Sequence, residues 1–262
     1  MTAFPAALRA RLRPSTPYAV IALAWVVAIL LWLTGASHRL GHADLLEGHR
    51  PLLAVLLLFL VGWQLMLAAM MLPSSLPMIR HYAGVVERQR LPRRGAWEFV
   101  GGYVLIWTAF GVLALVGDAG LHRLVESWSW LDDHEQLILA GALGLAGAVQ
   151  FTGLKDRCLR QCRRPYAFLL HKRLRGVTGS VRLGVDHGLF CVGCCWALML
   201  VMFAVGAAEL TWMLGLSAVM VYEKAAPGGE RLVPIVGVAL VVLAAMVAVH
   251  PAWLPAALSS TH

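Results

Sequence analysis

Seven stretches of this chain are apolar over nearly the length a helix needs to cross a bilayer. They run from Tyr18 to Ala36, Leu52 to Leu72, Trp97 to Gly117, Leu137 to Gly153, His187 to Gly206, Ala207 to Tyr222 and Leu232 to Val249. A transmembrane helix takes about 20 mostly apolar residues, within a range of about 17–25. The sixth stretch is short. Composition excludes a soluble domain: 60% of the residues are hydrophobic and 14% charged, against about 45–50% and 25% in soluble proteins. Burying that excess needs lipid. The expected fold is all-α: a polytopic membrane helix bundle of about seven transmembrane helices, with residues 1–262 forming one integral membrane domain.

Charge placement orients the bundle. With a cytoplasmic N-terminus, the inner segments are residues 1–17, 73–96, 154–186 and 223–231, and they hold 19 of the 22 Lys and Arg residues. Only Arg39, Arg50 and Arg123 fall outside. This is the positive-inside asymmetry, and it predicts a multi-pass protein of the inner membrane. The net charge of +8 then reads as a topology signal and as attraction to anionic headgroups in the lipid bilayer. No basic strip interleaved with aromatics points to nucleic acid. The first stretch follows Arg9, Arg11 and Arg13 as a signal peptide would, but lacks a well-placed cleavage site and reads as a retained anchor.

The outer loops say little. His38, His42 and His49 read as a solvated loop sooner than a metal strip, and Asp118, His122, Asp132, Asp133, His134 and Glu135 as an acidic surface. The fourth stretch repeats small residues at Ala140, Gly144 and Ala148, with Gly141 and Gly147 beside them. Such residues let helices approach closely in lipid, so this is expected to be a packing helix near the middle of the bundle. The seventh has no polar side chain in its body and reads as lipid-facing.

The fifth stretch carries the strongest chemical signal. Cys191, Cys194 and Cys195 share one helical face, His187 lies a turn before them and Met199 a turn after, and Met202 continues the line. At about 100° per residue the six fall within an arc of about 140°. Packing is the plain alternative, since cysteine is a small hydrophobe and methionine a gap-filler. Three cysteines in five positions favour metal or thiol chemistry. In the second stretch, Met66 and Met70 share a face and Met71 follows. Pro73 cannot donate to the carbonyl of Ala69 and should kink or end the helix there, and Pro77 repeats the break. A third signal is Cys158 and Cys162, one turn apart among five Lys and Arg residues in the basic loop 154–186. Nearby positive charge favours the thiolate. The alternative is two incidental cysteines in an interfacial helix, and Tyr166 to Arg175 is expected to lie on the inner leaflet.

Depth joins the three signals. Met70, Met71 and Met78 end the second stretch on the inner side, Cys191 to Cys195 lie about 6–12 Å in from that side, and Cys158 and Cys162 sit just inside. Thiolate and thioether donors together select Cu(I). Zinc is the alternative and gains nothing from methionine. Carboxylates are nearly absent from the stretches, which disfavours magnesium, calcium and manganese. The expected metal residues are Cys191, Cys194, Cys195, Met199, Met70, Met71 and His187, with Cys158 and Cys162 as a surface docking pair. Glu223 and Lys224 read as an ion pair with each other at the inner helix ends.

Several of these motifs resemble the bacterial domain-of-unknown-function family 2182. They are Ala69 to Pro73 with Pro77 and Met78; Leu154 and Lys155 followed by Cys158, Cys162, Arg163 and Pro165; Cys191 to Met199; and Glu223 with Lys224. The resemblance covers residues 60–230 and is most specific at Cys191-Val192-Gly193-Cys194-Cys195-Trp196. Thr152-Gly153 departs from it where the family has a proline. It implies a metal-binding integral membrane protein of copper-chaperone type, working with a copper donor or acceptor protein and not as an enzyme. Two rivals remain at this point. One is a membrane thiol-redox enzyme using Cys191 and Cys194. The other is a structural subunit or permease with packing cysteines. No phosphate-binding loop marks a pump.

Overall fold

A computed structural model describes residues 16–35, 51–88, 95–128, 134, 136–170, 176–205 and 209–249. Its regular elements are all helical. They are α1 (Thr16–Leu33), α2 (Leu52–Met66), a π-helical turn (Leu67–Met71), α3 (Leu72–Arg88), α4 (Gly95–Ser127), α5 (Gln136–Gln150), α6 (Gly153–Arg163), α7 (Pro165–Leu170), α8 (Gly176–Val205), α9 (Leu210–Ala225), a 3₁₀ turn (Gly229–Arg231) and α10 (Leu232–Val249). His38, His42, His49, Asp132, Asp133, Glu135, Lys172, Arg173 and Arg175 lie outside the described residues.

Among the described residues, five helices are long and apolar enough to cross a membrane, and six if α5 and α6, bent by 67° at their junction, make one span. The fourth and sixth of the seven stretches expected from hydropathy correspond to short helices, α5 with 15 residues and α9 with 16. At 1.5 Å per residue these cover about 22–24 Å, short of a hydrocarbon core of about 30 Å. Leucines and valines on the outer faces, such as Leu53, Val61 and Leu113, are about 70% exposed.

Two helix pairs frame the site, and glycines make both. On α4 and α8, a Cβ at Gly102 would strike the Val181 backbone, one at Gly184 the Phe99 carbonyl, and one at Gly188 would lie 2.9 Å from Ile106 Cβ. The backbones touch there, as small residues allow. On α5 and α10, a Cβ at Gly147 would lie 2.7 Å from Val241 Cγ2 and 2.9 Å from the Gly237 carbonyl. Gly147 and Gly144 of α5 therefore pack on α10, while Gly141 and Ala148 are exposed. The seventh stretch packs by one face only, where Val233, Gly237, Leu240, Ala244 and Val247 are buried, and its other residues, such as Ile235, Val238 and Val249, are exposed as the lipid-facing reading expects.

The prolines do not end the second helix. Helical structure continues from Leu52 to Arg88 through the π turn, with Pro77 inside α3. The extra residue of a π turn loosens the backbone where Pro73 removes a donor. The Ala69 carbonyl accepts a hydrogen bond from Trp25 Nε1 of α1 at 3.1 Å. An indole thus replaces the donor that proline lacks, and ties α1 to the turn that holds Met70 and Met71.

Candidate functional site

Five helical segments meet at the cysteines: α8, α6, α4, the C-terminal end of α9, and the start of α3 after the π turn. Cys191, Cys194 and Cys195 are buried on α8, and all five cysteines of the chain are free thiols. Cys194 Sγ lies 3.4 Å from Cys195 Sγ and 4.0 Å from Cys162 Sγ on α6. Cys194 also donates to the Cys191 carbonyl at 3.2 Å, as thiols in a helix can toward the preceding turn. Two metal–thiolate bonds of about 2.3 Å span at most about 4.6 Å between sulfurs. Both sulfur pairs fall inside that limit. Among the described residues, no group of three or more His, Cys, Asp or Glu side chains is arranged as a formed metal site.

Helix α6 reaches the cluster for reasons written in its sequence. Thr152 caps it, accepting from the Lys155 amide at 3.3 Å. Asp156 sits in its first turn and Arg160 and Arg163 in its last, matching the helix dipole. Lys155, Cys158, Leu159 and Cys162 form its buried face, while Arg157, Arg160 and Arg164 are exposed. The surface docking pair expected at Cys158 and Cys162 is therefore corrected: the two thiols share a face, but that face turns onto α8. A Cβ added at Gly193 would lie 2.6 Å from Cys158 Sγ. Cys158 is thus fitted against a glycine, and only Cys162 touches another sulfur among the contacts above. Gly193→Ala should lower stability by about 1–3 kcal/mol. A melting temperature equal to that of the parent protein would show that α6 yields freely there.

Charged and polar groups surround Cys191. Lys224 Nζ donates to Cys191 Sγ at 3.0 Å and to Ser74 Oγ at 3.2 Å. Tyr103 Oη shares a hydrogen bond with Cys191 Sγ at 3.2 Å and accepts one from Ser75 Oγ at 3.0 Å. Ser74 in turn donates to the Met71 carbonyl at 2.9 Å, so the π turn and Cys191 are linked through Lys224. The expected pairing of Glu223 with Lys224 does not form. Neighbours on a helix point about 100° apart. Glu223 instead meets Lys155 of α6 at 2.7 Å, with both side chains 1% exposed. Arg163 donates to the Glu223 carbonyl and, at 3.0 Å, to the Ala226 carbonyl, closing the end of α9.

Met70, Met71, Met199 and Met202 are fully buried in the same apolar cluster as the five cysteines. His187 is stacked on Phe99 and Tyr103, with ring centroids 5.8 and 5.5 Å apart. It lies one turn before Cys191 on α8. The sequence reading did not single out Tyr103, Ser74 or Ser75. Their signal was a polar group inside an apolar helix, which in a membrane protein marks a site or a structural bond.

Comparison with curated proteins and with solved structures gives no match. A family model described as copper chaperone (PpoB2) matches residues 60–247, which takes in the π turn, Tyr103, all five cysteines and Lys224. The domain-of-unknown-function 2182 designation is a finer assignment that this match does not make. The chain belongs to the PpoB2 copper chaperone family.

Proposed function

We propose that this protein sits in the bacterial inner membrane, binds Cu(I) at the Cys162, Cys191, Cys194 and Cys195 sulfurs, and hands the ion to a partner protein. The observation that carries this reading is the 4.0 Å approach of Cys162 on α6 to Cys194 on α8. It adds a thiol from a second helix to the three on α8, in a chain of a copper chaperone family. Thiolates with buried thioethers at Met70, Met71 and Met199 favour Cu(I) over harder ions. His187 holds Tyr103 from behind, and Cys158 packs α6 in place.

Ligand exchange suits delivery. Cu(I) held by two or three sulfurs passes to an incoming thiolate or thioether without leaving a sulfur environment. Cys162 belongs to an amphipathic helix whose outer face is basic, and so is the ligand placed nearest to an acidic donor or acceptor. Zinc is the alternative cargo, since the thiolates alone would hold it.

The test is metal analysis of protein purified in mild detergent from copper-supplemented cells. The control is the triple Cys191, Cys194 and Cys195→Ser variant. Near-stoichiometric copper in the parent, lost in the variant, is the expected result. Copper absent from both overturns the reading, and zinc in place of copper corrects the cargo.

A further inference from the structure

We propose that Lys224 sets the charge of the ion this site accepts, favouring a soft monovalent cation over an equally soft divalent one. The inference rests on the cysteine site proposed above and names its selectivity.

Lys224 is 5% exposed. A buried ammonium normally meets a carboxylate. The adjacent carboxylate, Glu223, is taken by Lys155, and among the described residues no ion pair includes Lys224. Its ammonium is turned instead onto sulfur, 3.0 Å from Cys191 Sγ, with Ser74 Oγ as its oxygen partner. A fixed positive charge therefore stands where an entering cation must be bound.

The consequence is a matter of counting charge. Exchanging a monovalent ion for a divalent one adds one positive charge beside the Lys224 ammonium. For any number of thiolates, the divalent state is the more positive by one unit and feels Lys224 more strongly. Softness does not separate Ag(I) from Cd(II), because both prefer thiolate. Charge does. A unit charge about 5 Å from Lys224, at an effective dielectric constant of about 20, changes the preference by about a hundredfold.

The experiment compares Ag(I) and Cd(II) binding to the full chain in detergent, for the parent, Lys224→Met and Lys224→Arg. Cd(II) is followed by its ultraviolet thiolate band, and Ag(I) by displacement of Cu(I) into a chromophoric chelator. The parent should take Ag(I) and resist Cd(II). Lys224→Met should shift the ratio toward Cd(II) by about a hundredfold, and Lys224→Arg should restore it. A methionine variant with the parental ratio, or a parent that binds both ions equally, overturns the inference while the copper reading stands. A parent that binds neither Cu(I) nor Ag(I) overturns the copper reading itself. If Lys224→Met does not fold, Lys224→Gln, which keeps a hydrogen-bond donor toward Cys191 and Ser74 without the charge, supplies the same comparison.

Discussion

Glu223→Leu should destabilise the detergent-solubilised protein by about 3–5 kcal/mol, because it leaves Lys155 charged and buried without its partner. The double variant Lys155→Met with Glu223→Leu should return to the parental stability or exceed it. Moving two charges out of water costs about as much as their attraction returns, so removing both is far cheaper than removing one. The geometry makes the contrast clean. Both side chains are 1% exposed and 2.7 Å apart, and Arg163 holds α9 through the backbone carbonyls of Glu223 and Ala226, which the substitutions leave intact. Thermal or denaturant unfolding of the parent, both single variants and the double variant provides the cycle. Equal losses in the single and double variants would mean that packing, not the ion pair, holds α6 to α9.

The helices themselves were legible because burial in lipid demands long apolar runs, and such runs are visible in one dimension. The exceptions follow physical lines. Helix α9 reads as a span by hydropathy, yet it has 16 residues and ends in Glu223 and Lys224, both buried. Two adjacent ionisable residues at a helix end were read as paired with each other. In the structure each side chain finds a partner more than 30 residues away, Lys155 for Glu223 and Cys191 for Lys224. The sequence shows that a buried charge needs a partner. It does not show which distant group supplies one.

The site was legible to the same depth. The i, i+3 and i+4 spacing of Cys191, Cys194 and Cys195 places them on one helical face wherever that helix lies. Cys158 and Cys162 were placed on one face for the same reason, but the arginines around them suggested the wet side. The exposed arginines occupy the opposite face of α6, and Gly193 makes room for Cys158 on the inner one. Which way an amphipathic helix turns is decided by its neighbour. Pro73 showed which carbonyl would lose its donor, but not that Trp25, 44 residues earlier, would supply another.

Cys162→Ser should weaken Cu(I) binding by more than about a hundredfold, while Cys158→Ser leaves it nearly unchanged. Loss of a partner behind a metal ligand costs about 10–100-fold in affinity, and loss of a direct soft ligand should exceed that. Serine keeps the size of the side chain but replaces sulfur with a hard oxygen that Cu(I) does not favour. The two cysteines lie one turn apart on α6, share its buried face and have nearly equal exposure, 7% and 8%. Solvent exposure, helix propensity and the basic surroundings are thus matched between the variants. What differs is the neighbour: Cys162 meets Cys194 Sγ, and Cys158 meets Gly193. Competition against a Cu(I) chelator of known affinity measures the difference on otherwise identical protein. Equal losses would make α6 a scaffold for the α8 thiols, and a larger loss at Cys158 would move the second-helix ligand one turn toward the start of α6.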